Sequence, residues 1–278
     1  MDRVLGVIPA RLDSRRLPRK VLRAICGRPM LAWVYERARR ARCLDRLLVA
    51  TDAEEVFAFC EKSGIPAVMT SKELRSGTDR IVEVLRREPA EICVNIQGDE
   101  PTVTAEHLEL LLEPFRGDPA TQVSTLKVAI AAGEARDPNN VKVTTDASGR
   151  ALYFSRPPIP FDRDGSGQLR YYKHLGLYAY RVAALEKFHR TPPSPLELAE
   201  KLEQLRFLEN GVPIAVVETE LDTIGVDTEE DLKKVEDYFR RTGAAPAGSS
   251  HCSPTEVLRE AHASLPDVCG HESGMSVA

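Results

Sequence analysis

Gly6-Val7-Ile8-Pro9-Ala10-Arg11-Leu12-Asp13-Ser14-Arg15-Arg16-Leu17-Pro18-Arg19-Lys20 starts as a strand and ends as a cluster of cations. The apolar run Val4 to Ile8 reads as a buried strand, and residues 11–20 then carry four arginines and one lysine. Open α/β sheets hold their ligands just past the carboxyl ends of the strands, so this order predicts a phosphate-binding loop using side-chain charge as well as backbone N–H groups. Its spacing is neither G-x-G-x-x-G nor a Walker A loop, which argues against a dinucleotide oxidoreductase and a P-loop ATPase. A charge run can also be a solvated loop without a ligand. The rest of the chain has to decide.

Working outward, strand and helix patterns alternate through the first half. Leu31, Val34, Tyr35 and Ala38 mark one helical face, with Arg39 and Arg40 near its C-terminus. A second strand, Arg46 to Ala50, ends at Thr51-Asp52, which can cap a helix bearing Val56, Phe59 and Cys60 and stopping at Gly64. A short strand near Ala67 to Met69, a helix with Ile81, Val84 and Leu85 inward, a strand Ile92 to Ile96 and a helix bearing Leu108, Leu111, Leu112 and Phe115 complete a βαβ series. That series predicts a mostly parallel, doubly wound sheet with helices on both faces. The second half reads as short antiparallel strands over Gln122 to Ile130, Val141 to Thr145, Ala151 to Ser155 and Leu175 to Tyr180, laid over the nucleotide half. A helix from about Pro195 to Glu209, a strand Ile214 to Glu218 and a last helix from about Thr228 to Arg241 close the domain. A mobile tail is expected over 243–278.

Composition narrows the function. The 278 residues can bury one substantial core, and a net charge of −4 opposes a nucleic-acid binder acting through general basicity. No apolar run approaches the ~18 residues of a membrane span, and no signal-peptide pattern opens the chain, so a cytoplasmic protein without a membrane partner is expected. Six scattered cysteines without C-x-x-C pairs read as reduced packing residues.

Acids answer the cations. Asn95-Ile96-Gln97-Gly98-Asp99-Glu100-Pro101 puts carboxylates just past a buried strand, and Ile224-Gly225-Val226-Asp227-Thr228 puts one at the start of the last helix. Either segment taken alone can be a turn or a helix cap. Together, Asp99 and Asp227 can share magnesium on a triphosphate. Ser76-Gly77-Thr78-Asp79-Arg80 also opens a helix, where small residues admit a planar base and Arg80 can donate to it, or where Ser76 or Thr78 merely caps. Tyr153-Phe154-Ser155-Arg156, Lys173-His174-Leu175-Gly176-Leu177-Tyr178 and Glu203-Gln204-Leu205-Arg206 supply further polar groups. Glu203 and Arg206 can equally form a surface pair three residues apart.

The order of these motifs, with Pro193-Ser194-Pro195-Leu196-Glu197 and Gly225-Val226-Asp227-Thr228, resembles the CMP-Kdo synthetases, the 3-deoxy-manno-octulosonate cytidylyltransferases, over roughly residues 3–240. The resemblance implies a Rossmann-like α/β nucleotidyltransferase domain over 1–242. Its nucleotide half would span about 1–120, an antiparallel acceptor and dimerisation insertion about 121–210, and a closing strand and helix 211–242. It implies that Ala10, Arg11, Ser14, Arg15, Lys20, Gly77, Thr78, Arg80 and Gln97 bind CTP. Gln97, Arg156, His174, Tyr178, Glu203 and Gln204 would line the acceptor pocket, and Asp99 and Asp227 would bind Mg²⁺. Arg11, Lys20, Asp99 and Asp227 would be catalytic. CTP, a small anionic acceptor and a homodimer follow from the same resemblance. Arg19 departs from it, standing where relatives usually carry glycine. Kdo is the acceptor it implies; a small phosphonate such as phosphonoformate is the alternative, and a catalytically silent CTP-binding module is the reading from a different class.

Overall fold

The computed structural model describes residues 2–243 apart from 15, 75 and 166, so most of the expected tail, with Cys252 and Cys269, lies outside the described residues. Strand β1 (Val4–Ala10) is the start of the deciding stretch. Its side chains alternate, sending Val4, Ile8 and Ala10 to one face of the sheet and Leu5 and Val7 to the other. A small hairpin, β2 (Ala24–Ile25) and β3 (Arg28–Pro29), leads into α1 (Met30–Ala38), β4 (Arg46–Thr51), α2 (Glu54–Lys62), β5 (Ala67–Met69), α3 (Gly77–Leu85), β6 (Ile92–Asn95) and α4 (Ala105–Gly117). Helices α1, α2 and α4 bury their apolar residues on the Ile8 face, and α3 buries its own on the Val7 face. That division is the double winding.

The second half is β7 (Val123–Ile130), β8 (Lys142–Thr145), β9 (Ala151–Ser155), β10 (Tyr171–Arg181), α5 (Val182–Arg190), α6 (Pro195–Glu200), α7 (Gln204–Glu209), β11 (Ile214–Thr219) and α8 (Glu229–Arg241). The main sheet runs β11-β7-β10-β6-β1-β4-β5, parallel throughout except where β10 meets β6 and β7. Two strands expected to lie over the nucleotide half, β7 and β10, are thus part of its sheet; β8 and β9 form the antiparallel extension at the edge of β10.

Local differences have local causes. Thr51-Asp52 does not cap α2: Ala53 is its N-cap, Thr51 accepts the Ala53 N–H, and Asp52 pairs with Arg80. The single helix expected over Pro195 to Glu209 is broken at Lys201, whose φ of 56° is left-handed. Helix α5 follows β10 with no turn residue between Arg181 and Val182, so no punctuation marked it in the sequence. Cys26, Cys43, Cys60 and Cys93 are free. Among the described residues no helix is long and apolar enough to cross a membrane.

Helix α8 fixes the far side of the site. Leu232, Val235 and Phe239 form one stripe that packs on Leu17, Ile25 and Trp33, with the Trp33 and Phe239 rings 4.4 Å apart. Thr228 caps α8 in a reciprocal box with Asp231. Asp227 is therefore spared capping duty.

Candidate active site

Three loops leave the carboxyl ends of like-directed strands and meet: 11–23 after β1, 96–104 after β6 and 220–228 after β11. The Val226 N–H donates to the Asp99 carbonyl at 2.9 Å, and the Ile224 N–H to Thr102 Oγ1 at 2.7 Å. These bonds bring two acids 128 positions apart onto one cation, since Lys20 Nζ lies 2.6 Å from Asp99 Oδ2 and 2.9 Å from Asp227 Oδ1. Arg16 reaches the other Asp227 oxygen at 2.9 Å. Burial pulls the Lys20 pKa down, but Asp99 and then Asp227 outweigh it, leaving Lys20 above its ordinary value and charged. The acids stay accessible to a ligand, with side chains 34% and 46% exposed.

Around this meeting point lies a cleft of about 440 Å³ lined by Arg11, Ser14, Lys20, Gly77, Gln97 and both aspartates, among others. Gly98 lets the loop after β6 close on β1: a β-carbon there would sit 2.8 Å from the Pro9 carbonyl oxygen. Ser76 caps α3 in a box with Asp79, so the N-terminus of that helix, with Gly77, forms part of the wall. An inner cavity of about 250 Å³ continues past Gln97 to Thr78, Tyr178, Glu203 and Gln204. An outer cavity of about 740 Å³ opens on the other side, past Gln97 and Tyr178 to His174 and Lys173. Gln97 borders all three.

Not every expected residue arrives. Arg80 is fully buried and lines none of the three cavities; its guanidinium is held by Asp52 at 2.7 Å and by the Thr70 hydroxyl, which withdraws it from a base edge. Arg156 is likewise absent from the walls, donating to the Glu200 carbonyl at 2.8 Å and the Pro138 carbonyl at 3.1 Å. Ala10 turns its side chain into the core. Arg15 lies outside the described residues. Arg206 pairs with Glu197, not Glu203, whose carboxylate accepts from Thr78 Oγ1 at 2.8 Å. Arg19 takes φ 58°, a conformation that suits glycine, and its guanidinium turns to Glu55.

Burial acts on two of the residues expected to line an acceptor pocket. Burial, with Lys173 beside it, pushes His174 down to about 3, so the ring is neutral and hydrogen-bonded to Thr125 Oγ1 at 3.0 Å. Burial raises the Glu203 carboxyl against the opposing Thr78 hydrogen bond.

Known proteins share this sequence and fold. The cytidylyltransferase family profile matches residues 5–220. The chain belongs to the cytidylyltransferase family. A protein named 3-deoxy-manno-octulosonate cytidylyltransferase from Acidobacterium capsulatum is 58% identical over 233 residues, covering 84% of this chain and 95% of that protein. One of the same name from Koribacter versatilis is 53% identical over 238 residues, covering 86% and 90%. The solved structure of a CMP:2-keto-3-deoxy-manno-octonic acid synthetase complexed with CTP superposes with a TM-score of 0.83 at 44% identity, covering 86% of this chain and 99% of that one.

Sequence reasoning passed over several wall residues. Arg16 was one cation in a run of five, with nothing to single it out. Glu100, pushed up to about 7 by burial and by Asp99, faces the outer cavity. Asn95 and Tyr180 sit inside strands, where a sequence shows only alternation.

Proposed function

We propose that this cytidylyltransferase moves CMP from CTP to 3-deoxy-manno-octulosonate, releasing pyrophosphate. The observation that carries the reading is the meeting of Asp99 and Asp227 on Lys20 in a cleft shared with Arg11 and Gln97. The relatives at 58% and 53% identity, both named for this acceptor, favour it over a small phosphonate.

Magnesium suits the acid pair. Both donors are hard carboxylate oxygens, and among the described residues no group of three or more His, Cys, Asp or Glu forms a metal cage. Such a sparse donor set fits an ion that keeps water and phosphate ligands. Bound there, magnesium offsets charge on the phosphate oxygens.

The protein's own part is positional and electrostatic. Arg11, Arg16 and Lys20 hold the triphosphate, the two cations now on Asp227 exchanging a carboxylate partner for phosphate. The N-terminal turn of α3 at Gly77 seats the nucleoside, and Gln97 stands at the passage to the acceptor. A hydroxyl of the acceptor attacks the α-phosphorus, the bond to the pyrophosphate oxygen breaks, and Lys20 steadies the departing charge. The homodimer belongs to the same proposal, and twice 30.8 kDa is its expected particle mass.

Pyrophosphate release with CTP and each of Kdo, 8-amino-Kdo, phosphonoformate and neuraminic acid tests the reading. Turnover of Kdo is expected. Rapid turnover of phosphonoformate with none of Kdo would reverse the acceptor assignment, and CTP binding without release with any of the four would favour a silent binding module.

A further inference from the structure

Among the described residues, four helices have their N-cap N–H taken by the side chain three positions later. In α3, α6 and α8 that side chain is a carboxylate: Asp79 accepts from Ser76, Glu197 from Ser194 and Asp231 from Thr228. Helix α4 uses His107 instead, whose Nδ1 accepts the Thr104 N–H at 3.1 Å. An acceptor is all that such a cap requires, so a carboxylate would serve here too. The second ring nitrogen does what no carboxylate can. His107 Nε2 lies 2.9 Å from the Leu221 carbonyl oxygen, 114 positions along the chain, and donates to it.

The two bonds together specify one tautomer, a neutral ring with its proton on Nε2, because a carbonyl can only accept and an amide N–H can only donate. The ring is fully buried. Burial lowers its pKa, with Arg37 assisting and the Leu221 carbonyl, Glu106 and Asp222 opposing, which favours the neutral form those bonds need. Leu221 opens the stretch that ends at Asp227, and residues 221–227 have no regular secondary structure of their own. Their path is set by ties to other elements: Leu221 to α4 through His107, Asp222 to β10 through Lys173 at 2.8 Å, Ile224 to Thr102 and Val226 to the Asp99 carbonyl. Thr104 closes the loop that carries Asp99. His107 thus grips both acid-bearing loops, one with each nitrogen.

We propose that His107 is a positioning residue whose imidazole bolts the 220–228 loop to the start of α4 and so holds Asp227 in place beside Asp99 and Lys20. The proposal rests on the role given to Asp227 above and names what aims that carboxylate.

Two substitutions separate the bonds. His107→Asn keeps an acceptor for the Thr104 N–H, on a side chain of the length that Asp79 and Asp231 use, but loses its reach to Leu221; His107→Gln keeps an acceptor and a distal donor. His107→Asn is expected to lower kcat for pyrophosphate release about tenfold with KM for CTP within about twofold, and His107→Gln to stay within about threefold of the unmutated enzyme. In an Asp227→Asn background, with no carboxylate left to aim, His107→Asn should cost less than about twofold more. A full tenfold loss in that background, or equal losses from the two His107 variants at matching Tm, would overturn the proposal and leave His107 a helix cap. Should His107→Asn fail to fold, His107→Gln decides, a tenfold fall of kcat in the folded variant overturning the proposal. Full activity of Asp227→Asn alone would remove the role given to Asp227, and the proposal with it.

Discussion

The nucleotide cleft and the inner cavity adjoin at Gln97 yet are built on opposite electrostatic plans. In the cleft the two aspartates that meet are already answered: Asp99 and Asp227 share Lys20, and Arg16 takes the remaining Asp227 oxygen. In the cavity no lysine or arginine lines the wall, its acid Glu203 is held by the Thr78 hydroxyl, and Asn95 Oδ1, Tyr178 OH and Gln204 Nε2 lack a partner. The first region is a set of charges that can trade partners when a polyanion and its cation arrive. The second is a wall of amides and phenols without a cation.

Removing a charge from the cleft should have the largest effect on that contrast. Lys20→Met removes the cation between Asp99 and Asp227 and leaves the two acids facing each other, so kcat for pyrophosphate release should fall about 10³-fold. A fall of less than tenfold would place the phosphates elsewhere.

Next comes the support of α7, the helix that carries Gln204. Arg206 and Glu197 form a pair only 12% and 9% exposed, joining α7 to α6, and Arg206 Nε lies 2.6 Å from Glu197 Oε2. Glu197→Gln removes one charge of a buried pair and should cost about 3 kcal/mol in denaturant unfolding. A cost near zero would mean that the helix break is held by packing alone.

The neutral His174 ring has a pH signature. His174 has a folded pKa of about 3 against an ordinary 6.5, so between those values the unfolded chain binds a proton that the native one refuses. Stability is therefore lost as pH falls from about 6.5 toward 3 and is fully present above 6.5. His174→Gln should flatten that acid limb in urea titrations, whereas an unchanged limb would assign it to other groups.

The smallest effect is at Arg19. Its left-handed backbone costs a non-glycine residue about 1 kcal/mol, and its ion pair with Glu55, both side chains around half exposed, returns little. Arg19→Gly should raise stability by up to about 1 kcal/mol and leave KM for CTP unchanged. A raised KM would give Arg19 the phosphate-clamping role that its position in the loop suggests.

These contrasts mirror what a one-dimensional reading can reach. The strand-then-cation stretch at β1 and the acids after β6 and before α8 were legible because each is a local pattern with a positional meaning in parallel sheets. Their convergence could be suspected because both follow strands, but nothing local links Asp99 to Asp227; the contacts of the 220–228 loop with Asp99 and Thr102 do. The destinations of Arg80 and Arg156 were not legible: a guanidinium looks the same in sequence whether it meets a ligand or the carbonyls of Glu200 and Pro138. The break at Lys201 lacked a glycine to announce it, so Glu203 and Gln204 seemed to lie on one continuous helix. Asn95 was hidden most completely, because an orphaned amide exists only once its surroundings are assembled.

The central claim is that Asp99 and Asp227 act as one unit on one nucleotide. A double-mutant cycle of Asp99→Asn and Asp227→Asn, read as kcat for pyrophosphate release, tests it most directly. The account expects each single variant to lose nearly as much as the double, since either change disables the shared site. Losses that simply multiply, each aspartate contributing independently, would contradict it.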